Sequence, residues 1–196
     1  MYVILYNPGS GGNLVASVID PKNYFFAATP NNQNLLHMGI DKNSLRYEYS
    51  VVGFDPKYKN VTERRQEKLN LLTKIKNEYT AISDHDVPMF VDFVNFQLRY
   101  KEFDYIIIDD TSSIESTTKR NLEVQLLETS GVVVDPNNKK WISQLKHFNV
   151  CDKFIGFDDI INGNLIKILK QWVNTPLNEN IYEIWLEKNR KYFFDT

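Results

Sequence analysis

The chain has little cysteine, little histidine and no long apolar run. Only one of its 196 residues is cysteine, Cys151, so no disulfide framework can form within the chain. The three histidines are too far apart in sequence to suggest a zinc set. No stretch approaches the roughly 20 apolar residues of a membrane span, and the first residues lack the basic and apolar regions of a signal peptide. We therefore expect a cytoplasmic protein with no metal ion and no membrane association.

An excess of charge of either sign is also missing. The formal net charge is -2, with 42% hydrophobic and 24% charged residues, which is ordinary for a soluble globular protein. No basic field favours DNA or RNA, so nucleic acid is not an expected partner. The length favours a single domain over residues 1–196. Residues 40–60 have the weakest pattern and are the best candidate for an insertion or a lid.

Apolar runs and helical spacing predict the fold class. Tyr2–Tyr6 and Tyr105–Ile108 are rich in β-branched and aromatic residues, which is typical of strands buried on both faces of a parallel sheet. Thr62–Tyr79 has helical spacing, with Thr62 as its expected N-cap. Turn residues before Leu35–Gly39 suggest a short helix there. Strands that alternate with helices predict a P-loop-like, three-layer α/β/α domain with a mainly parallel sheet.

A glycine-rich loop follows the first strand and precedes a helix that starts near Leu14. Glycine tolerates positive φ and lets the backbone approach a ligand closely. The free N–H groups and the positive dipole end of the helix favour an anion. Alternatively, the segment is an ordinary turn with convenient glycines. The Walker A lysine is missing, because Asn13 stands in its place. The expected binding residues are Gly9, Ser10, Gly11, Gly12 and Asn13.

Polar residues follow two further predicted strands. His85 is a candidate general base for a substrate hydroxyl, flanked by Asp84 and Asp86, or it is an exposed loop histidine. Asp109 and Asp110 resemble a Walker B ending that would hold Mg²⁺, or they simply terminate the strand. Because the carboxyl ends of parallel strands lie at one edge of the sheet, these loops should meet near the glycine loop.

Hydroxyl and basic side chains after Asp110 suit a second phosphate. Ser113, Ser116 and Arg120 could hold it through hydrogen bonds and a guanidinium charge. The other interpretation is a helix cap with solvated basic residues. Four arginines are possible contacts for a substrate anion, although a solvated face explains most of them: Arg46, Arg64, Arg65 and Arg99.

Several of these segments resemble the P-loop sulfotransferase-like family, in its short, phage-type form. The strand, the Pro8–Asn13 loop and the helix are similar to the family's 5′-phosphosulfate loop. Phe157–Ile161 and the apolar helix after it look like a second conserved segment of that family. The C-terminal pattern is similar to the end of short sulfotransferase-like proteins of phages and comprises Tyr182, Trp185, Asn189, Tyr192 and Phe193.

The resemblance implies a phosphoadenosine phosphosulfate donor and transfer of its sulfuryl group to an unidentified hydroxyl acceptor. It places the 5′ phosphosulfate on Gly9–Asn13, and a serine such as Ser113 or Ser116 on the 3′ phosphate. The family's arginine motif after the strand is replaced here by Asp109-Asp110-Thr111. Two alternatives stay open: a nucleotide kinase or NTPase-like protein that uses Asp109 with Mg²⁺, and a non-enzymatic interaction protein on a degenerate P-loop scaffold.

Overall fold

The computed structural model describes residues 1–7, 9–29, 33–52, 60–84, 103–111 and 151–194, and elements are numbered in chain order within these ranges. The strands are β1 (Tyr2–Leu5), β2 (Tyr24–Ala28), β3 (Leu36–Ile40), β4 (Ala81–Asp84), β5 (Asp104–Asp109) and β6 (Phe154–Gly156). The helices are α1 (Gly12–Ile19), α2 (Leu45–Val51), α3 (Val61–Ile75), α4 (Phe157–Ile161), α5 (Leu165–Leu169) and α6 (Glu179–Phe194).

Four strands form one sheet in which every pairing is parallel. The strand order is β4-β1-β5-β6, with β1 between β4 and β5. Leu5, the last residue of β1, lies beside Asp84 of β4 and Ile107 of β5. The expected α/β class with a parallel sheet is therefore confirmed for the part of the chain that the structure describes.

Each face of this sheet is covered by helices, which explains why the strands are apolar without alternation. Val3 and Leu5 of β1 point to one face, where they pack with residues of α2 and α3. Ile4 points to the opposite face and packs with residues of α1, α4, α5 and α6. The same division separates Ile107 from Ile106 and Ile108 in β5. The described residues thus form a layer of helices on each side of the sheet.

A separate two-stranded antiparallel sheet is formed by β2 and β3, beside α1 and α6. The helix expected over Leu35–Gly39 is wrong, because Leu36–Ile40 is a strand that pairs with Tyr24–Ala28 residue by residue. An apolar run this short does not distinguish helix from strand by its periodicity, and here the available partner strand decides. Phe25 lies opposite Gly39 in this pairing, and its ring covers the glycine.

The segment before β4 forms two helices against the same face of the main sheet. Ser44 caps α2 by accepting a hydrogen bond from the Tyr47 N–H at 3.2 Å. Asn60 caps α3 through the Glu63 N–H at 2.9 Å, so the expected cap at Thr62 is wrong by two residues. Asparagine caps as well as threonine does, and it precedes the helix in the extended conformation that a cap requires. The 40–60 segment therefore contains a packed helix over Leu45–Val51.

Candidate functional site

The candidate site lies at the carboxyl edge of the four-stranded sheet. The chain runs from β1 to β4 on one side and later returns to β5 on the other side, so the strand order reverses at β1. Ligands of open α/β sheets bind beside such a reversal, at the carboxyl ends of the strands. The glycine loop leaves β1 at this point. Asp84 and Asp109 end the neighbouring strands, so the strand ends that were expected to meet lie side by side.

The backbone of the glycine loop makes a tight turn into α1. Gly9 and Gly11 have φ angles of 90° and 86°, which lie in the left-handed region that favours glycine. The Ser10 N–H and the Ser10 hydroxyl both donate to the Asn7 carbonyl, at 3.0 and 2.7 Å. Ser10 is fully buried. Its side chain therefore stabilises the turn, while the glycines supply the backbone conformation that the turn requires.

Helix α1 begins at a glycine, so its N-cap residue offers no capping side chain. Gly11 is the N-cap residue, no side chain among the described residues accepts a capping hydrogen bond from the first turn, and that turn holds no acidic residue. The first helical hydrogen bond runs from the Val15 N–H to the Gly11 carbonyl at 3.1 Å. The N–H groups of the turn before Val15 precede this ladder, as at any helix start. Together with the helix dipole, they can accept an anion.

Gly12 is a glycine because of its packing. A Cβ atom at this position would lie 2.1 Å from two atoms of the Tyr6 ring, far inside any carbon–carbon contact. Tyr6 follows β1 directly, and its ring lies against the start of α1. The missing side chain of Gly12 thus makes room for Tyr6, and the expected contact of the Gly12 backbone with a ligand stays a prediction.

The Asn13 side chain makes three hydrogen bonds inside the protein. Its Oδ1 accepts from the Ser83 hydroxyl at 2.6 Å and from the Tyr6 hydroxyl at 3.1 Å, and its Nδ2 donates to the Met38 carbonyl at 3.0 Å. This residue stands where a Walker A loop has its lysine. Because its amide is engaged with Tyr6, β3 and β4, the expected contribution of Asn13 to anion binding falls to its backbone N–H.

The two aspartates at the end of β5 have separate surroundings. Asp110 is fully buried, and its Oδ1 accepts a hydrogen bond from Asn7 Nδ2 at 2.8 Å, which ties the end of β5 to the base of the glycine loop. Asp109 Oδ1 accepts from the Thr111 hydroxyl and N–H at 2.6 and 3.1 Å, which forms a local turn. Both carboxylates thus have structural hydrogen bonds. The metal-binding role of Asp109 in the NTPase-like alternative stays a prediction.

A buried ion pair stabilises the end of β4. Lys68 Nζ lies 2.9 and 3.0 Å from the two carboxylate oxygens of Asp84, and Tyr49 donates a short hydrogen bond to the same carboxylate. All three side chains are buried. Lys68 precedes Leu72 by four residues and Ile75 by seven, and both of these α3 residues are buried. This helical spacing is the signal in the sequence that predicts Lys68 on the inner face of α3.

Arg46 is buried away from the candidate site. Its Nη2 lies 2.6 Å from Asp20 Oδ2, and its guanidinium stacks between the rings of Tyr24 and Tyr79, 4.5 and 4.3 Å from their centroids. The Thr80 N–H, at the amino end of β4, donates to the same Asp20 oxygen at 2.7 Å. Arg46 therefore joins α2 to the amino edge of the sheet, the edge opposite the glycine loop.

Five of the expected site residues lie outside the described residues, and their roles stay predictions. They are His85, which follows directly after Asp84, and Arg99, Ser113, Ser116 and Arg120. Within the described ranges, no group of three or more histidine, cysteine or acidic residues is arranged to hold a metal ion. Among the helices of the same ranges, none is both long and apolar enough to cross a membrane.

Comparisons of the chain with protein-family models, with curated proteins and with solved structures find no match. Function is therefore inferred from the geometry of the carboxyl edge and from the residues around it.

Proposed function

We propose that this protein binds a phosphorylated nucleotide of the phosphoadenosine phosphosulfate type at the Gly9–Asn13 loop and transfers the sulfuryl group to a hydroxyl acceptor. The observation that carries the proposal is the start of α1. It follows β1, an inner strand of the parallel sheet, at the reversal of strand order. Among the residues that the structure describes, no side chain caps this helix start, and its first turn holds no acidic residue. This is the arrangement in which backbone N–H groups bind phosphate and sulfate.

The residues present fit a donor that is bound mainly by backbone. Ser10 and Asn7 fix the turn, Gly9 and Gly11 give it its shape, and the α1 dipole supplies a positive potential where a Walker A loop would add a lysine. Without that lysine the loop has less charge for a triphosphate, which favours a smaller anionic group. When bound, the nucleotide would supply the sulfuryl group. The proposed role of His85 is to accept the proton of the acceptor hydroxyl.

Calorimetry and thermal unfolding with 3′,5′-ADP, the nucleotide product of such a reaction, test the proposal. Adenosine, which lacks phosphate, is the matched control ligand. A nucleotide at 100 times its Kd stabilises the folded state by about 2.7 kcal/mol, so we expect Tm to rise by roughly 5 to 10 °C. Adenosine should give no such rise. No thermal shift with millimolar 3′,5′-ADP would refute the proposal.

Two glycine variants localise the binding. Gly11 and Gly163 have φ angles of 86° and 92°, and a Cβ atom at either one would have its nearest neighbour at 3.8 or 3.9 Å. Gly11→Ala and Gly163→Ala should therefore lose similar stability, about 1 to 2 kcal/mol, through strain alone. Only Gly11→Ala should weaken binding of 3′,5′-ADP. Equal weakening by both variants would show that the nucleotide does not contact the loop.

The same experiments include the kinase or NTPase-like alternative. In that case ATP would bind only with Mg²⁺, and Asp109→Asn would abolish the metal dependence. If neither nucleotide binds, the interaction protein on a degenerate P-loop scaffold becomes the favoured hypothesis.

A further inference from the structure

The first turn of α1 is connected to β4 and β2 by a directed chain of hydrogen bonds. Asn13 Oδ1 can only accept, so the Ser83 hydroxyl donates its single proton to it, at 2.6 Å. The Tyr24 hydroxyl lies 3.1 Å from Ser83 Oγ and must therefore donate to it. Burial raises the pKa of the Tyr24 phenol, which keeps this donor protonated. The chain thus runs in one direction, from Tyr24 through Ser83 to Asn13.

The two ends of this chain are fixed by further contacts. At one end, the Tyr24 ring stacks on the buried Arg46 guanidinium, 4.5 Å from the ring centroid. At the other end, Asn13 also accepts from Tyr6 and donates to the Met38 carbonyl of β3. Each hydrogen bond has only one available direction, so the position of the Asn13 side chain is set by its surroundings.

We infer that Ser83 and Tyr24 are positioning residues that act through Asn13 and hold the first turn of α1 ready for an anion before the anion binds. This inference rests on the proposed function, because it concerns the same loop. A site that is already ordered loses less entropy on binding, and its affinity is higher for that reason. Tyr24 on β2 and Ser83 on β4 thus support anion binding although both are distant from the loop in sequence.

Two variants and two matched controls separate positioning from general stability. Ser83→Ala and Tyr24→Phe each remove one hydroxyl of the hydrogen-bond chain and keep the rest of the side chain. Ser50→Ala is the control for serine, because its hydroxyl donates to the Tyr47 carbonyl of α2 at 2.9 Å, away from the loop. Tyr2→Phe is the control for tyrosine, because its hydroxyl donates to the Trp172 carbonyl at 2.9 Å, away from the loop.

The readouts are the affinity for inorganic pyrophosphate and the ¹⁵N heteronuclear NOE of the Gly12 and Asn13 amides in the free protein. We expect Ser83→Ala and Tyr24→Phe to weaken pyrophosphate binding by about 3- to 10-fold, the effect of one lost hydrogen bond. Both should also lower the NOE of the two amides, which reports backbone motion without any ligand. The controls should change neither quantity.

Each outcome decides the inference. An unchanged affinity and NOE in Ser83→Ala and Tyr24→Phe would overturn it, and so would equal losses in the two controls. If the wild-type protein binds neither pyrophosphate nor 3′,5′-ADP, the proposed function fails. The NOE of the free variants then still shows whether the hydrogen-bond chain orders the first turn.

Discussion

Gly12→Ala should destabilise the protein even though alanine is the better helix former. The new Cβ atom would lie 2.1 Å from the Tyr6 ring, so the ring would have to retreat by about 1.5 Å to reach ordinary contact. Tyr6 is 9% exposed and follows directly after β1, and its hydroxyl tethers the ring to Asn13. It therefore has little freedom to retreat.

The expected loss of stability is the cost of overpacking less the gain in helix propensity. Overpacking a filled site costs typically about 1 to 3 kcal/mol, and alanine returns up to about 1 kcal/mol in a helix. The 2.1 Å approach to a ring with little room to move places the overpacking cost at about 3 kcal/mol. We therefore expect a net loss of about 2 kcal/mol, which for a chain of this length lowers Tm by roughly 4 to 8 °C. Denaturant unfolding of the wild-type and variant proteins measures this difference.

Gly39→Ala is the matched control. A Cβ atom there would lie 2.6 Å from the far end of the Phe25 ring, which is 49% exposed and can rotate away. This variant should be neutral or slightly stabilising, because glycine weakens a strand interior. In a Tyr6→Ala background, Gly12→Ala should also lose its penalty, a coupling of about 2 to 3 kcal/mol. A Gly12→Ala protein as stable as wild type would refute this packing argument.

Three further predictions concern buried charges and the cysteine. Lys68→Met should cost about 3 to 5 kcal/mol in chemical unfolding because it leaves the Asp84 carboxylate buried without its cation, and adding Asp84→Asn should recover part of the loss. Arg46→Met should cost about 3 kcal/mol by the same measurement because it removes the cation paired with Asp20. Burial raises the pKa of Cys151 to about 11, so iodoacetamide at pH 8 should alkylate the native protein roughly 100-fold more slowly than the unfolded chain. The folded thiol keeps its proton to higher pH than the unfolded one. Its contribution to the free energy of unfolding is therefore complete below about pH 8.5, and it is lost as the pH rises towards 11. A lysine variant as stable as wild type, an arginine variant that loses no stability, or alkylation at equal rates would contradict the respective argument.

The main sheet was predictable because its strands are apolar on both faces. Tyr2–Leu5 and Asp104–Asp109 coincide closely with the apolar runs, and burial between two helical layers explains why no alternation interrupts them. Leu36–Ile40 was mispredicted as helix because its state depends on pairing with β2, a tertiary contact that five residues cannot reveal. The α3 cap was misplaced because Asn60 and Thr62 are both good capping residues.

The site was predictable as a loop but not in its internal contacts. Glycines between a strand and a helix mark the turn, and Gly9 and Gly11 have the positive φ angles expected of it. The reason for Gly12 depends on where the Tyr6 ring lies, and no local pattern encodes that position. Asn13 and Ser83 are 70 residues apart, so only the packing of α1 against β4 brings them together.

The central claim is that an anion binds to the backbone at the start of α1. A ¹H–¹⁵N NMR titration of the full chain with 3′,5′-ADP tests it most directly, because each amide reports separately. The account predicts that the largest shifts fall on the Gly11, Gly12 and Asn13 amides and saturate with the nucleotide. Saturable shifts elsewhere that leave these three amides unmoved, or no shifts at millimolar nucleotide, would contradict it.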